Sequence, residues 1–275
     1  ENLNINYDKT VSNATVSMIS AGAILVISVL IVLLVLVIKR WKGRFIPLAL
    51  GVLSYVVFGF MFSQLLMSVL SLIPNVDQSF TYNTNAYVVI YNILLAAGFG
   101  IARWFTAKMM TDRYNRTGDV LMAGTGPAIG DTVITYALSM FTFFVYAQAI
   151  SANGLEKFIS DMFNSGMAES DVITLYTSNV SQLIDSPAIL WFLMAVSAVL
   201  DIALNIMLFM VVYGVVKKQV NYMYAYYAII AQFVSNIMFQ LYNAFSLTNI
   251  IVLLTALLPL LLVLFSHQSF EYFIS

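Results

Sequence analysis

Cysteine is absent from this 275-residue chain and histidine occurs once. Without cysteine there is no disulfide, no thiolate metal site and no cysteine nucleophile. The single His267 lies in the C-terminal tail beyond the last apolar run, which excludes a metal site built from histidines, and no cofactor is expected. Charge is scarce as well: Asp, Glu, Lys and Arg make up 9% of the residues, whereas 61% are hydrophobic. That balance excludes a soluble domain. The few basic residues form no stripe with interleaved aromatics, so nucleic acid is not an expected partner. No sequence repeat or long linker stands out, and a single integral membrane domain over residues 1–275 is expected.

What fills the chain is a series of apolar runs. Runs of about 20 residues, the length that crosses a bilayer, predict about seven spans. They lie near 16–38, 46–72, 86–107, 120–149, 187–215, 221–243 and 247–266. The predicted fold class is an all-α, polytopic transmembrane helical bundle. Of the twelve basic residues, Lys39, Arg40, Lys42, Arg44, Lys108, Arg113, Arg116, Lys217 and Lys218 fall in the loops after spans one, three and five. The positive-inside rule makes those loops cytoplasmic, with the N-terminus outside and the C-terminus inside. The chain opens on Glu1 rather than Met, so an upstream piece removed or left out is allowed for. Span one runs straight into Lys39-Arg40-Trp41-Lys42 and reads as a retained anchor rather than a signal peptide.

One sizeable segment, 150–186, lies outside the spans on the outer side. Leu155, Phe158, Ile159, Met162 and Phe163 recur there at helical spacing, with Asn153 and Glu156 placed as an N-cap and its third-residue partner. The spacing predicts an amphipathic helix, and 172–184 reads as a second. Such helices would form either a lid over the bundle or a surface packed on headgroups.

Arg103, Asp131 and Asp201 stand inside otherwise apolar runs. Each opposes insertion by about 2.5–3.5 kcal/mol at mid-membrane, which places such residues in a bundle interior and marks them as functional candidates. Arg103 and Asp131 lie at similar depth, and an ion pair between spans three and four is expected. Asp201 sits near the bilayer middle with no basic partner at its depth. Neutral polar residues accompany them in stripes: Gln64, Ser68 and Ser71; Asn92 and Gly100 with Arg103; Thr135, Ser139, Thr142 and Tyr146 with Asp131; Ser197 and Asn205 with Asp201; Gln232, Asn236, Gln240 and Asn243. Spacings of three and four keep each set near one helix face. The stripes of spans two to six are expected to converge on one seam, lined by Arg103, Asp131, Asp201, Asn205, Gln232, Asn236, Gln64 and Asn92. Alternatively the neutral members only hold helices together. Spans one and seven carry little polar surface and are expected to face lipid.

The densest local signal is Gly124-Thr-Gly-Pro-Ala-Ile-Gly-Asp131. Pro127 frees the carbonyl of Ala123, and Gly124, Gly126 and Gly130 permit close backbone approach or an unwound turn. A break in span four is expected here. The motif lacks the Gly-Lys-Ser/Thr ending of a P-loop.

Gly-Arg-Phe-Ile-Pro-Leu-Ala-Leu-Gly opening span two, the Ala-Ala-Gly-Phe-Gly-Ile-Ala-Arg-Trp-Phe run containing Arg103, the Gly-x-Gly of span four, and the spans carrying Asp201 and Gln232 together resemble the YhfC family. The resemblance covers most of the chain, from span two to span six. It implies a glutamic-type intramembrane endopeptidase related to the CAAX-processing membrane proteases, in a bacterial plasma membrane. It also implies a catalytic set: a Glu pair just before an Arg, a Gly-x-Gly-His followed by Glu, and further His residues in later spans. Here Arg103 remains, but no acid precedes it over 98–102. Pro127 falls where the His belongs, Asp131 where the following Glu belongs, and Asp201 and Gln232 where later His residues belong. Water activation needs a tuned base and a proton donor for the leaving amine. The expectation is therefore a catalytically degenerate relative, a pseudoprotease that binds a transmembrane helix, lipoprotein, peptide or lipid in the bilayer, as a subunit or regulator of a membrane assembly.

Two other readings stand beside it. Asp131 and Asp201 could act as an aspartic dyad, provided that their carboxyl groups lie within a few ångströms, although their flanks do not match the Tyr-Asp and Gly-x-Gly-Asp signatures of presenilin-like enzymes. A transporter or small-ligand reading would use the broken fourth span. The lack of native cysteine makes the orientation directly testable. Cysteine introduced at Lys157 is expected to react with a membrane-impermeant maleimide in intact cells, and cysteine at Lys217 only after permeabilisation; the reverse pattern would overturn the topology.

Overall fold

The computed structural model describes residues 7–72, 85–110 and 113–241, and among them every regular element is a helix. Helix α1 spans Asn13–Trp41, α2 Phe45–Ser71, α3 Asn85–Met110 and α4 Thr117–Asn153. Two short helices follow, α5 (Leu155–Asn164) and α6 (169–185), then α7 (Ala188–Val216) and α8 (Met223–Leu241). Five of these are long and apolar enough to cross a bilayer: α1, α2, α4, α7 and the Tyr87–Met110 part of α3. The sixth expected span is the helix α8, which is not among those five. The seventh, together with Asn243, His267 and the side chain of Gln240, lies outside the described residues.

The chain divides into two compact units, residues 1–29 with 133–199, and 30–132 with 200–275. The first unit holds the predicted amphipathic segment. Leu155 and Ile159 of α5 and Val172, Val180 and Leu183 of α6 are buried against Val11, Ile19, Met140, Ala147, Ile150 and Trp191. The apolar faces of α5 and α6 thus cover the helices of their own unit, with Tyr146 and Phe158 meeting edge to face at 5.4 Å. Asn153 does not cap α5. It ends α4, and Gly154, at φ +84°, occupies the cap position because an L side chain rarely adopts that conformation. An exposed ion pair of 2.6 Å joins Lys9 to Asp185, and that hydrogen bond raises the Lys9 ammonium above its ordinary range. At this exposure the pair adds little stability.

The second unit is organised by small residues. The expected break in span four is not there: α4 runs as an α-helix through Pro127 to Asp131, then widens into a π-helical turn over Thr132–Ala137 before resuming. Its glycines serve close approach instead. A Cβ on Gly51 of α2 would lie 2.5 Å from the Ala123 carbonyl oxygen, and one on Gly126 would lie 2.6 Å from the Leu48 carbonyl oxygen. The carbonyl freed by Pro127 is therefore covered by the backbone of α2, and the helix has no cause to unwind. At the same end, Asp119 in the first turn of α4 is fully buried. It accepts hydrogen bonds from Arg44 Nε at 3.0 Å and from the Arg44 backbone N–H at 3.2 Å, so the buried carboxylate is paired.

Because the obstruction at Gly51 is backbone, which cannot swing aside, Gly51→Val is expected to destabilise the protein by about 1–3 kcal/mol. The cost is read as a lower unfolding temperature in detergent. Leu53→Val, on the exposed face of the same helix, is the control and should change that temperature little.

Candidate functional site

Two residues of the candidate site stand at the edges of π-helical turns. Tyr55 opens the turn Tyr55–Met61 in α2, and Asp131 directly precedes the turn in α4. Tyr55 is fully buried, and its ring lies in a slot between two glycines: a Cβ on Gly59 would be 2.8 Å from the ring and one on Gly130 would be 2.5 Å from it. Phe99 closes the slot, with ring centroids 4.9 Å apart. Held there, the Tyr55 hydroxyl donates to Asp131 Oδ1 at 2.9 Å.

From Asp131 a chain of hydrogen bonds crosses the second unit. The carboxyl groups of Asp131 and Asp201 lie close enough to interact with one another. Asn205, one turn along α7, donates its Nδ2 to Asp201 Oδ2 at 3.1 Å. Its Oδ1 accepts from Arg103 Nη2 at 2.6 Å, and the same nitrogen donates to Gln232 Oε1. Gln232 Nε2 in turn donates to Asn236 Oδ1 at 2.9 Å. Arg103, Asn205 and Gln232 are fully enclosed, whereas Asp201 and Asn236 are partly exposed. The Arg103 guanidinium also stands 5.0 Å over the Phe99 ring.

Of the residues expected to line the seam, Arg103, Asp131, Asp201, Asn205, Gln232 and Asn236 join this one network. Gln64 is exposed and donates to the Tyr91 hydroxyl at 3.2 Å, and Asn92 is buried with its Nδ2 on the Val88 carbonyl of its own helix. Ser139 and Thr142 are exposed and bond carbonyls one turn back. A hydroxyl can satisfy itself on its own helix in this way, so nothing draws that stripe inward. The expected ion pair is also replaced: Arg103 donates to two amides rather than to Asp131. With α4 unbroken, the motif Gly124, Gly126, Pro127 and Gly130 packs helices and seats Tyr55. Sequence reasoning misses Tyr55 itself. The available signal is a lone tyrosine in an apolar run with glycine one turn on.

The YhfC intramembrane metalloprotease family model matches residues 24–257. The chain belongs to this family. No curated protein and no solved structure matches it. Membership, with five apolar helices of spanning length, makes it an integral membrane protein of intramembrane protease-like type.

The family's description implies a metal, and the donor set here does not fit one. A catalytic zinc takes three protein ligands from His, Cys, Asp or Glu and keeps one open position. Among the described residues no three such side chains come together. The two carboxyl groups that do meet are bonded to Tyr55 and Asn205, and Asn205 also holds the cation Arg103. A divalent ion would have to displace these bonds beside a fixed positive charge. What this YhfC-family site can do with its own groups is bring two carboxyls together and present amide and guanidinium donors.

Gly130→Ala would drive its Cβ into the Tyr55 ring, and Tyr55→Phe removes the donor to Asp131. Each is expected to lower stability by about 1–3 kcal/mol. Because both act on the same hydrogen bond, the double variant should lose less than the sum, measured by denaturation in detergent.

Proposed function

We propose that this chain is a catalytically degenerate member of the YhfC family that binds a transmembrane helix, lipoprotein, peptide or lipid at the Arg103–Asp131–Asp201 network. It acts as a non-catalytic subunit or regulator in a membrane protein assembly. One observation carries the reading. Arg103, Asp131, Asp201 and Gln232, which the resemblance aligns with the family's catalytic positions, are joined in one buried network. The location of the family site is kept while its metal-binding chemistry is absent from the residues that occupy it. Metal-bound water, with its pKa near 7, is the usual nucleophile in a metal site, and among the described residues no three His, Cys, Asp or Glu side chains gather to hold the ion. On this reading the protein lies in a bacterial plasma membrane as one domain of about seven spans, N-terminus outside, with α5 and α6 on the outer side.

A second reading rests on the carboxyl pair. Asp131 and Asp201 lie close enough to interact, and an aspartic dyad needs two neighbouring carboxyls, one ionised and the other carrying a proton. Against it stand the engagement of Asp131 by Tyr55 and of Asp201 by Asn205, which leaves the pair braced rather than free to activate water. The transport reading loses its support with the unbroken α4.

Two assays separate these readings. Crosslinking and affinity capture from native membranes is expected to recover a defined membrane partner with the wild type and lose it with Arg103→Ala, Asp131→Asn, Asp201→Asn. Purified wild type is expected to leave membrane peptides intact, with or without added zinc. Cleavage abolished by either single Asp→Asn change would establish the dyad instead.

A further inference from the structure

Four helices of spanning length end at one corner of the second unit. Helix α1 ends at Trp41 and α2 begins at Phe45, while α3 ends at Met110 and α4 begins at Thr117. The two connections are locked together. A Cβ on Gly118 would lie 2.1 Å from the Trp41 carbonyl oxygen, and one on Gly43 would lie 2.7 Å from the Gly118 carbonyl oxygen, so the turn after α1 rests on the first turn of α4. Arg44 ties the same segments: its backbone N–H and Nε donate to Asp119, its Nη2 donates to the Arg113 carbonyl at 3.2 Å, and its guanidinium stands 4.5 Å over the Tyr114 ring. This packing gathers Lys39, Arg40, Lys42, Arg113 and Arg116 from two stretches of chain, all five exposed. Asp119 is fully buried and taken up by Arg44, and among the described residues none of the five has a carboxylate partner. Lys42 also holds a left-handed φ of 54°, a conformation that favours glycine, so a cation stands where the backbone favours an uncharged residue.

We propose that this corner binds the headgroup of an anionic phospholipid. It uses no residue of the Arg103–Asp131–Asp201 network and does not rest on the binding reading above. The ends of spanning helices lie at the depth of the headgroups, and the surface beside the cations is apolar. Leu36, one turn before Lys39 and Arg40, is exposed, as are Phe45 and Ile46 at the start of α2, and the Arg40 guanidinium stands 5.5 Å over the half-buried Trp41 ring. Cations and apolar side chains on one surface match a molecule that carries a phosphate and acyl chains together. Unpaired cations held close repel one another, and a phosphate among them relieves that repulsion while its oxygens accept from guanidinium and ammonium groups. Basic residues beside spans also orient a chain, but orientation depends on how many a loop carries. It does not require that two loops be tied through a buried carboxylate or that a lysine occupy a left-handed position.

The test uses the full chain extracted from liposomes of phosphatidylcholine with phosphatidylglycerol in the minority, and native mass spectrometry counts the lipid that stays bound. Phosphatidylglycerol is expected on the protein at about tenfold its share of the membrane. Arg113→Gln combined with Arg116→Gln should bring it down to near that share. Lys217→Gln combined with Lys218→Gln, which removes the same charge from the turn after α7, should leave the enrichment unchanged. Asp119→Asn separates a built site from net charge: it makes the protein more positive yet unties the two connections, so the enrichment should fall about threefold. Thermal unfolding in detergent establishes that each variant is folded, and the arginine pair decides alone where Asp119→Asn does not fold. An enrichment untouched by the arginine pair, equally reduced by the lysine pair, or raised in Asp119→Asn overturns the assignment, because charge alone would then account for it. Displacement of the lipid by millimolar glycerol phosphate would overturn it in favour of a soluble-anion site.

Discussion

A guanidinium enclosed among apolar helices sets the terms for everything around it. Arg103 cannot shed its charge as readily as a carboxyl or an amine can, so the bundle has to surround it with acceptors and a counter-charge. Asn205 and Gln232 supply the acceptors, each from a different helix. The counter-charge stands one residue further out, in the Asp131–Asp201 pair. Asn205 is the hinge of the arrangement, accepting from the cation with its oxygen and donating to the carboxyl with its nitrogen. An amide between opposite charges lets each be satisfied without direct contact, and it ties α3, α7 and α8 into one network.

The carboxyl end of that network depends on packing that only glycine allows. Tyr55 reaches Asp131 because Gly59 and Gly130 leave room for its ring, and α4 lies close enough because Gly51 and Gly126 let two backbones meet. Tyr55 opens one π-helical turn and Asp131 directly precedes another. Such turns shift the register of the residues that follow and are frequent at functional sites. In a family whose chemistry implies a metal, the helices around the site would share its ligands. In this chain hydrogen bonds between side chains join α3, α7 and α8.

Which polar residues would join the site was partly legible. Carboxyl, guanidinium and carboxamide groups are long enough to reach another helix and too polar to satisfy themselves on their own backbone, and six of the eight expected seam residues converge. Hydroxyls misled, because Ser139 and Thr142 bond the carbonyls one turn back and stay outside. Pro127 misled too. A proline in a run of glycines is compatible with an unwound turn and with a tightly packed helix alike, and the choice belongs to α2, whose Gly51 covers the carbonyl that Pro127 frees. The Asn153 cap failed for a local reason: the chain turns at Gly154, whose left-handed backbone takes the cap position.

Composition and apolar run length by themselves determined that this is a helical membrane protein, and the order of its motifs determined its family. Both follow from quantities that add along the chain, such as transfer free energy per residue and the spacing of residue types. The tertiary structure alone decided that Arg103 pairs with amides, that the two aspartates meet, and that Tyr55 belongs to the site. Those partners lie on helices distant in sequence, and whether two side chains come within hydrogen-bonding range depends on how closely the helices approach, which the glycine contacts set to within an ångström or so.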